Sequence, residues 1–114
     1  MFCLRIGRDK AIANIFDLPE TLSSQELVET LLKQDNILIE RIVSTGQVTP
    51  AGEWYDQDKN EWLIVLQGEG ELSYEDNSRI KLTTGDYLLI PAHQKHRVEY
   101  TSTKTPCIWL TIFF

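Results

Sequence analysis

The sequence predicts an all-β protein, built as an antiparallel sandwich or small barrel, with one short N-terminal α-helix. From residue 37 onward, short runs rich in β-branched and aromatic residues follow one another. Brief turns rich in glycine, proline, asparagine and aspartate separate these runs. Strands at this spacing are typical of sandwiches and small barrels.

Length and composition favour one domain. The chain has 114 residues, of which 42% are hydrophobic, and both values are ordinary for a single globular unit. We expect residues 1–36 to supply an N-terminal strand and the helix, which pack on a barrel formed by residues 37–114.

Charge and apolar runs exclude two classes of partner. The net charge of -6 is spread along the chain, which argues against binding the phosphate backbone of nucleic acid. No apolar run approaches the roughly 18 to 20 residues that a membrane span needs, and the N-terminus has no apolar signal-peptide core. We therefore expect a cytoplasmic protein without nucleic-acid or membrane partners. Cys3 and Cys107 are interpreted as free structural thiols, although pairing of the first and last strands would allow a bridge.

The helix is predicted over residues 22–36. Ser23 is placed to cap the first amides and Glu26 to complete a capping box. Four apolar residues then recur at helical spacing and form one stripe: Leu27, Val28, Leu31 and Leu32. Asn36 ends the helix.

Period-two runs after the helix predict the strands of the barrel. They cover residues 37–43, 61–67, 71–75, 79–83, 86–91, 96–101 and 107–114. The strands that carry Trp62, Trp109 and Phe113 are apolar on both faces, so we expect the helix or another subunit to cover the outer face of one sheet. A homodimer is the simplest way to cover it.

The two histidines of the chain, His93 and His96, flank the tight connection before the strand 96–101. Alternation along that strand turns His96 and Tyr100 inward, whereas the strand pattern does not fix the direction of His93. Glu61 begins another strand at the mouth of a buried surface, where an unpaired charge is costly. Glu61 and His96 are therefore the candidate catalytic pair.

The spacing of several of these residues resembles the two cupin motifs. Glu61 and Gly68 match the end of the first motif, and Gly85, Pro91 and His96 follow the second. The chain is identified as a small single-domain cupin, similar to conserved-barrel proteins that carry WYDQ…EW and IPAHxxHRV signatures. The resemblance implies a jelly-roll β-barrel, and it leaves the reaction open because this fold hosts many chemistries.

The resemblance also implies a possible metal site. Metal-binding cupins use two histidines and a glutamate from the first motif and one histidine from the second. The two first-motif histidine positions fall on Trp54 and Asp56 or on Tyr55 and Gln57, so both histidines are missing. The remaining candidate ligands for zinc, manganese, iron or nickel are Asp56, Gln57, Glu61, His93 and His96. The alternative is a metal-free pocket that Glu61 and His96 line as a hydrogen-bonded pair.

Three aromatic residues are candidates for ligand binding: Trp54, Tyr55 and Tyr100. The first two lie in the loop 53–58, which either closes over the barrel mouth or packs over the end of the core. Tyr100 either donates to a ligand or forms part of the wall. Two functions stay open: an enzyme acting on a small polar metabolite at the barrel mouth, and a non-catalytic small-molecule binding or sensing module.

Overall fold

Antiparallel β-strands form all the regular secondary structure in residues 12–114, which are the residues described by a computed structural model. The all-β part of the prediction is confirmed. Within this range the structure contains no helix that could cross a membrane. Residues 1–11, with Cys3 and that part of the predicted N-terminal strand, lie outside the described residues. The strands are β1 (Leu27–Gln34), β2 (Ile37–Ser44), β3 (Glu61–Gln67), β4 (Glu69–Tyr74), β5 (Arg79–Thr83), β6 (Tyr87–Ile90), β7 (His96–Thr101) and β8 (Cys107–Phe113).

Two antiparallel sheets pack against each other. The larger has the strand order β1-β2-β8-β3-β6, and the smaller has the order β5-β4-β7. Alternating residues of both sheets meet in the core, which is built mainly from Leu63, Val65, Leu72, Leu82 and Trp109. Burial also raises the pKa of the Cys107 thiol to about 12.

The predicted helix over residues 22–36 is wrong. Residues Leu27–Gln34 form β1, an edge strand paired with β2. Asp35 has a positive φ of 52° and makes a two-residue hairpin turn with Asn36. Ser23 caps no helix, because its hydroxyl bonds to the backbone two residues later. Helix propensity is a weak preference, and pairing with β2 overrides it.

One close approach sets the distance between the two sheets. Gly70 on β4 lies against the indole ring of Trp109 on β8, and a β-carbon at Gly70 would come within 2.4 Å of that ring. Only glycine lets the ring lie this close to the strand. The pair therefore fixes a close packing contact between the two sheets.

Arg41 fastens the chain before β1 to the outer face of the larger sheet. Its guanidinium is buried and donates to the carbonyl oxygens of Ile15, at 2.9 Å, and Asp17. It also forms an ion pair with Glu29 on β1. Because Glu40 and Arg41 are adjacent on β2, the carboxylate faces inward while the guanidinium faces outward.

The rest of the outer face is apolar and partly open to solvent. Trp62 and Tyr87 pack there with ring centroids 5.6 Å apart. Tyr87 is 67% exposed and Leu89 is 52% exposed. These residues belong to the face from which a homodimer was predicted, and the pairing stays a prediction.

The last residue of the chain is tied back to the start of β3. Asn60 and Phe114 exchange two backbone hydrogen bonds, of 2.9 and 3.0 Å. The side-chain oxygen of Asn60 also accepts a hydrogen bond from the amide of Ala92 at 3.0 Å. Three segments therefore meet directly beside Glu61.

Candidate functional site

A cavity of about 310 Å³ lies between the two sheets. This volume is at the lower end of the range for small-molecule sites. Both sheets contribute its apolar wall, which includes Val28, Ile42, Leu63, Leu72, Val98 and Phe113. The polar side chains on the wall belong to Glu26, Glu40, Ser44, Tyr55, Gln57, Glu61, His96 and Thr111.

Strand alternation brings these groups to one space. Every second residue faces the cavity, as Glu40, Ile42 and Ser44 do on β2. On β8 the same alternation presents Trp109, Thr111 and Phe113. The site is thus a continuation of the core in which polar residues replace apolar ones.

Glu61 and His96 face each other in this cavity. The first residue of β3 and the first residue of β7 bring Nε2 of His96 to 3.4 Å from Oε1 of Glu61. The side chains are 8% and 5% exposed for Glu61 and His96 respectively. At 3.4 Å the contact is longer than a normal hydrogen bond, so we describe it as a buried electrostatic pair.

The proton positions on His96 follow from its partners. Nδ1 lies 2.9 Å from the carbonyl oxygen of Gln94, which accepts only, so Nδ1 carries a proton. Nε2 then faces a carboxylate oxygen, and an attractive contact requires a proton on one of these two atoms. Burial acts to lower the pKa of His96, but the Glu61 carboxylate and the Gln94 carbonyl outweigh it and raise the pKa above 6.5.

Two buried oxygen atoms in the cavity lack hydrogen-bond partners among the described residues. They are Oε1 of Glu61 and Oγ1 of Thr111, and both side chains line the cavity. A buried polar atom without a partner costs about 1 to 3 kcal/mol, and such atoms call for an explanation. A bound molecule that donates to both atoms supplies one.

Two further carboxylates, Glu26 and Glu40, were not among the predicted site residues. Glu26 precedes β1, and Glu40 lies on β2 opposite Thr111 of β8. Burial, reinforced by the negative charge of Glu61, raises the pKa of Glu40. The period-two pattern of residues 37–43 could have placed Glu40 inward, but Glu26 enters the site only because β1 is a strand.

Tyr55 joins the loop 53–58 to the catalytic candidates. It lines the cavity, and its ring stacks on His96 with centroids 5.5 Å apart and an interplanar angle of 29°. Trp54 does not line the cavity and lies instead under the guanidinium of Arg97, 5.8 Å from its ring centroid. Arg97 also donates to the carbonyl oxygens of Thr49, Pro50 and Glu53. The loop is therefore fastened to β7, by a residue that the sequence analysis did not single out.

Comparison with known families decides the family. The cupin domain family matches residues 42–113. The chain belongs to the cupin family.

Solved structures share the fold of this chain. A crystal structure named as a candidate mannose-6-phosphate isomerase from Ralstonia eutropha JMP134 is 35% identical, with a TM-score of 0.84, and the match covers 90% of this chain and 96% of that one. A cupin superfamily protein from Desulfitobacterium hafniense DCB-2 is 19% identical, with a TM-score of 0.74, and 100% and 98% of the two chains are covered. No curated protein matches the chain.

The residues that could hold a metal in this cupin do not converge on one point. Gln57, Glu61 and His96 line the cavity, whereas Asp56 and His93 do not. His93 lies on the connection to β7, with a φ of 65° and a side chain 65% exposed, and its Nδ1 is 2.9 Å from Oδ1 of Asp56. Residues 12–114 contain no group of three or more His, Cys, Asp or Glu residues that could hold a metal ion. The donor set does not fit the three or more protein ligands usual for a zinc centre.

A β-bulge places Tyr100 away from the cavity of this cupin. Leu72 pairs with Val98 but Glu71 pairs with Tyr100, so β7 has one extra residue at Glu99. The extra residue reverses the alternation, and Tyr100 is 45% exposed while Thr101 is buried. Tyr100 instead borders a second, shallower depression together with Glu69 and Lys104.

Proposed function

We propose that this cupin is an enzyme that binds a small polar metabolite in the cavity and isomerises it by moving a proton. The observation that carries the proposal is the buried pair of Glu61 and His96, with Oε1 of Glu61 lacking a hydrogen-bond partner among the described residues. A carboxylate and an imidazole that face each other in a small-molecule cavity are suited to general acid and base catalysis.

The proposal gives each of these atoms a role. Oε1 of Glu61 accepts a proton from the bound molecule, and the Nε2–H of His96 donates a proton to a second atom of the same molecule. The proton then passes from Glu61 to His96 across the 3.4 Å contact, which restores the starting state. The hydrogen bond to Gln94 and the stack with Tyr55 hold the imidazole in place. Such proton transfer typically contributes about 10² to 10⁴ in rate.

The name of the Ralstonia eutropha protein supports the reaction class. Isomerisation of an aldose to a ketose moves a proton between neighbouring carbon atoms, which is the chemistry that an acid and base pair provides. The identity of 35% over 90% of this chain makes the same class a reasonable starting point. The substrate of that protein does not follow for this chain, because function depends on the site rather than on the fold.

Metal dependence and assembly remain separate parts of the proposal. Glu61 and His96 supply two donors in the cavity, with Gln57 as a weaker third, and the proton transfer described above uses no metal. A homodimer that covers Trp62, Tyr87 and Leu89 remains our expectation, and sedimentation of the purified chain would test it. A cytoplasmic location likewise remains an expectation.

Solvent exchange tests the enzymatic proposal without knowledge of the substrate. A mixture of small polar metabolites is incubated with the protein in D₂O, and mass spectrometry records which compounds gain deuterium. We expect one class of compound to exchange with the wild type, and exchange to fall by at least about 10² with Glu61→Gln or His96→Gln. Glu75→Gln, which alters an exposed carboxylate paired with Lys95, serves as the matched control.

The same experiment separates the alternative function. A compound that binds by thermal shift but gains no deuterium would support a non-catalytic binding or sensing module. Exchange that survives in both Glu61→Gln and His96→Gln would overturn the assignment of the acid and base pair.

A further inference from the structure

We propose that the cavity selects a small organic cation, such as a protonated amine, a guanidinium or a quaternary ammonium compound. The inference rests on the proposed function in one respect, because it concerns the same cavity. It goes further by naming the charge of the molecule that binds there.

The charges of the cavity wall are the first reason. Three carboxylates line it, from Glu26, Glu40 and Glu61, whereas no lysine or arginine does among residues 12–114. His96 is the one basic side chain on this described wall, and it faces Glu61. Two carboxylates are therefore left without a basic partner within the described lining.

Desolvation makes this arrangement costly in the absence of a ligand. A carboxylate held near another in a partly buried space loses hydration and is repelled by its neighbour. A cation bound between Glu40 and Glu61 removes the repulsion and replaces the lost hydration. Part of the favourable free energy of cation binding therefore comes from relief of the repulsion and desolvation that these carboxylates experience in the ligand-free protein.

Aromatic side chains on the wall are the second reason. The rings of Tyr55, Trp109 and Phe113 border the same cavity as the carboxylates. Aromatic faces attract cations, and the attraction is stronger when the cation is desolvated. Carboxylates combined with aromatic rings are suited to an organic cation rather than to a hydrated metal ion.

Unpartnered polar atoms provide an independent indication of a ligand. Oγ1 of Thr111 is buried with no hydrogen-bond partner among the described residues, and Thr111 pairs across the strands with Glu40. Oε1 of Glu61 is likewise buried and has no hydrogen-bond partner among the described residues. A protonated amine or a guanidinium group has several N–H donors, so one such group can satisfy a hydroxyl and a carboxylate together. A quaternary ammonium group has no N–H donor, so a compound such as choline would have to donate through its hydroxyl group instead.

The charge of the cavity also excludes a class of ligand. A phosphate monoester carries nearly two negative charges at neutral pH, and three carboxylates on the wall would repel it. We therefore expect mannose 6-phosphate not to enter this cavity, although it appears in the name given to the Ralstonia eutropha protein.

Matched pairs of probes test the inference on the full chain. Each pair has similar shape but different charge: choline with 3,3-dimethylbutan-1-ol, cyclohexylamine with cyclohexanol, and guanidinium with urea. Binding is followed by NMR shifts of the Trp109 indole and the His96 ring. For at least one pair we expect the cation to bind about tenfold or more tightly than its neutral partner. Glu40→Gln should remove most of that preference, whereas Glu75→Gln, on the surface, should retain it.

Two results would overturn the inference. One is that no cation of the three pairs is favoured over its neutral partner, and the other is that mannose 6-phosphate shifts the same two signals. The inference and the proposed function can fail separately. Deuterium exchange into a neutral or anionic compound would support the proposed enzymatic function and contradict the preference for cations. Cations that bind but gain no deuterium would support the preference for cations and contradict the enzymatic function.

Discussion

The backbones of Tyr55 and His96 exchange two hydrogen bonds, one of 2.8 Å from the amide of Tyr55 and one of 3.1 Å from the amide of His96. Their rings are stacked as well. A loop residue thus pairs with the first residue of β7 as a neighbouring strand would. The orientation of the imidazole is therefore set from both sides, by the loop and by the strand.

Replacing Glu61 should reverse the direction of the His96 pKa shift. In the wild type the pKa of His96 is raised above 6.5, because the Glu61 carboxylate and the Gln94 carbonyl outweigh burial. In Glu61→Gln burial, which is the largest influence on the pKa of His96, remains and is opposed only by the hydrogen bond to Gln94, so the pKa should fall below 6.5. NMR titration of the ring protons measures this, and His93→Gln identifies the signals.

The free energy of unfolding should also depend on the protonation of His96. A histidine whose pKa is raised in the folded state stabilises the fold fully below the unfolded pKa, and this contribution is lost as the pH rises through the folded pKa. The difference in urea midpoint between wild type and Glu61→Gln should therefore be largest below pH 6.5 and decrease above it. A difference that grows with pH across this window would contradict the assignment.

Removal of the Arg41 side chain should release the segment before β1. Arg41→Ala leaves Glu29 and two backbone carbonyl oxygens without their donor, so we expect a loss of about 2 to 4 kcal/mol in the free energy of unfolding. Urea denaturation measures the loss, and hydrogen exchange should increase in residues 12–20.

An exposed arginine provides the control for this variant. Arg79 pairs with Glu71 but its side chain is 57% exposed, so Arg79→Ala should change stability by less than about 0.5 kcal/mol. Equal losses in the two variants would show that Arg41 has no special structural role.

A methyl group at Gly70 should collide with the Trp109 ring. Gly70→Ala places a β-carbon where the ring lies 2.4 Å away, and overpacking of this kind costs about 1 to 3 kcal/mol. Urea denaturation of the single variant gives the cost. In a Trp109→Leu background the same change should cost at least about 1 kcal/mol less. The same cost in both backgrounds would mean that the penalty comes from the backbone of β4 rather than from the contact.

Metal content tests the donor set in the cavity. Protein prepared without a metal-affinity step should contain less than one equivalent of zinc, manganese, iron or nickel, because residues 12–114 bring no three His, Cys, Asp or Glu side chains together in a group that could hold a metal ion. Elemental analysis of wild type and His96→Ala measures it. Stoichiometric metal in the wild type that is lost in His96→Ala would contradict this prediction.

Local patterns in the sequence predict most of the strands but cannot predict pairing. The run 96–101 was predicted with the bounds that β7 has, because alternation and turn residues mark both of its ends. Residues 22–36 also carry a local pattern, and it favours a helix. Their pairing with β2 depends on residues that follow the turn at Asp35, outside the segment that carries the helical pattern, and this pairing decides the structure.

In the candidate site, too, local sequence patterns predict the position of some residues but not of others. The inward position of Glu61 and His96 could be predicted because each begins a strand whose alternation is clear. Tyr100 could not be placed, since the extra residue in β7 leaves no mark in the sequence. Glu26 requires β1 to be known as a strand, and its role in the cavity therefore depends on the one element that was predicted wrongly.

The hydrogen bonds between Phe114 and Asn60 have a practical consequence for anyone who prepares this protein. Phe113 lines the cavity and Phe114 is hydrogen-bonded to Asn60, the residue before Glu61, so a peptide fused after Phe114 begins next to a residue of the cavity wall. A polyhistidine tag in that position brings foreign imidazoles close to Glu61 and His96. Preparations for ligand screens and metal assays should therefore carry no tag at that end.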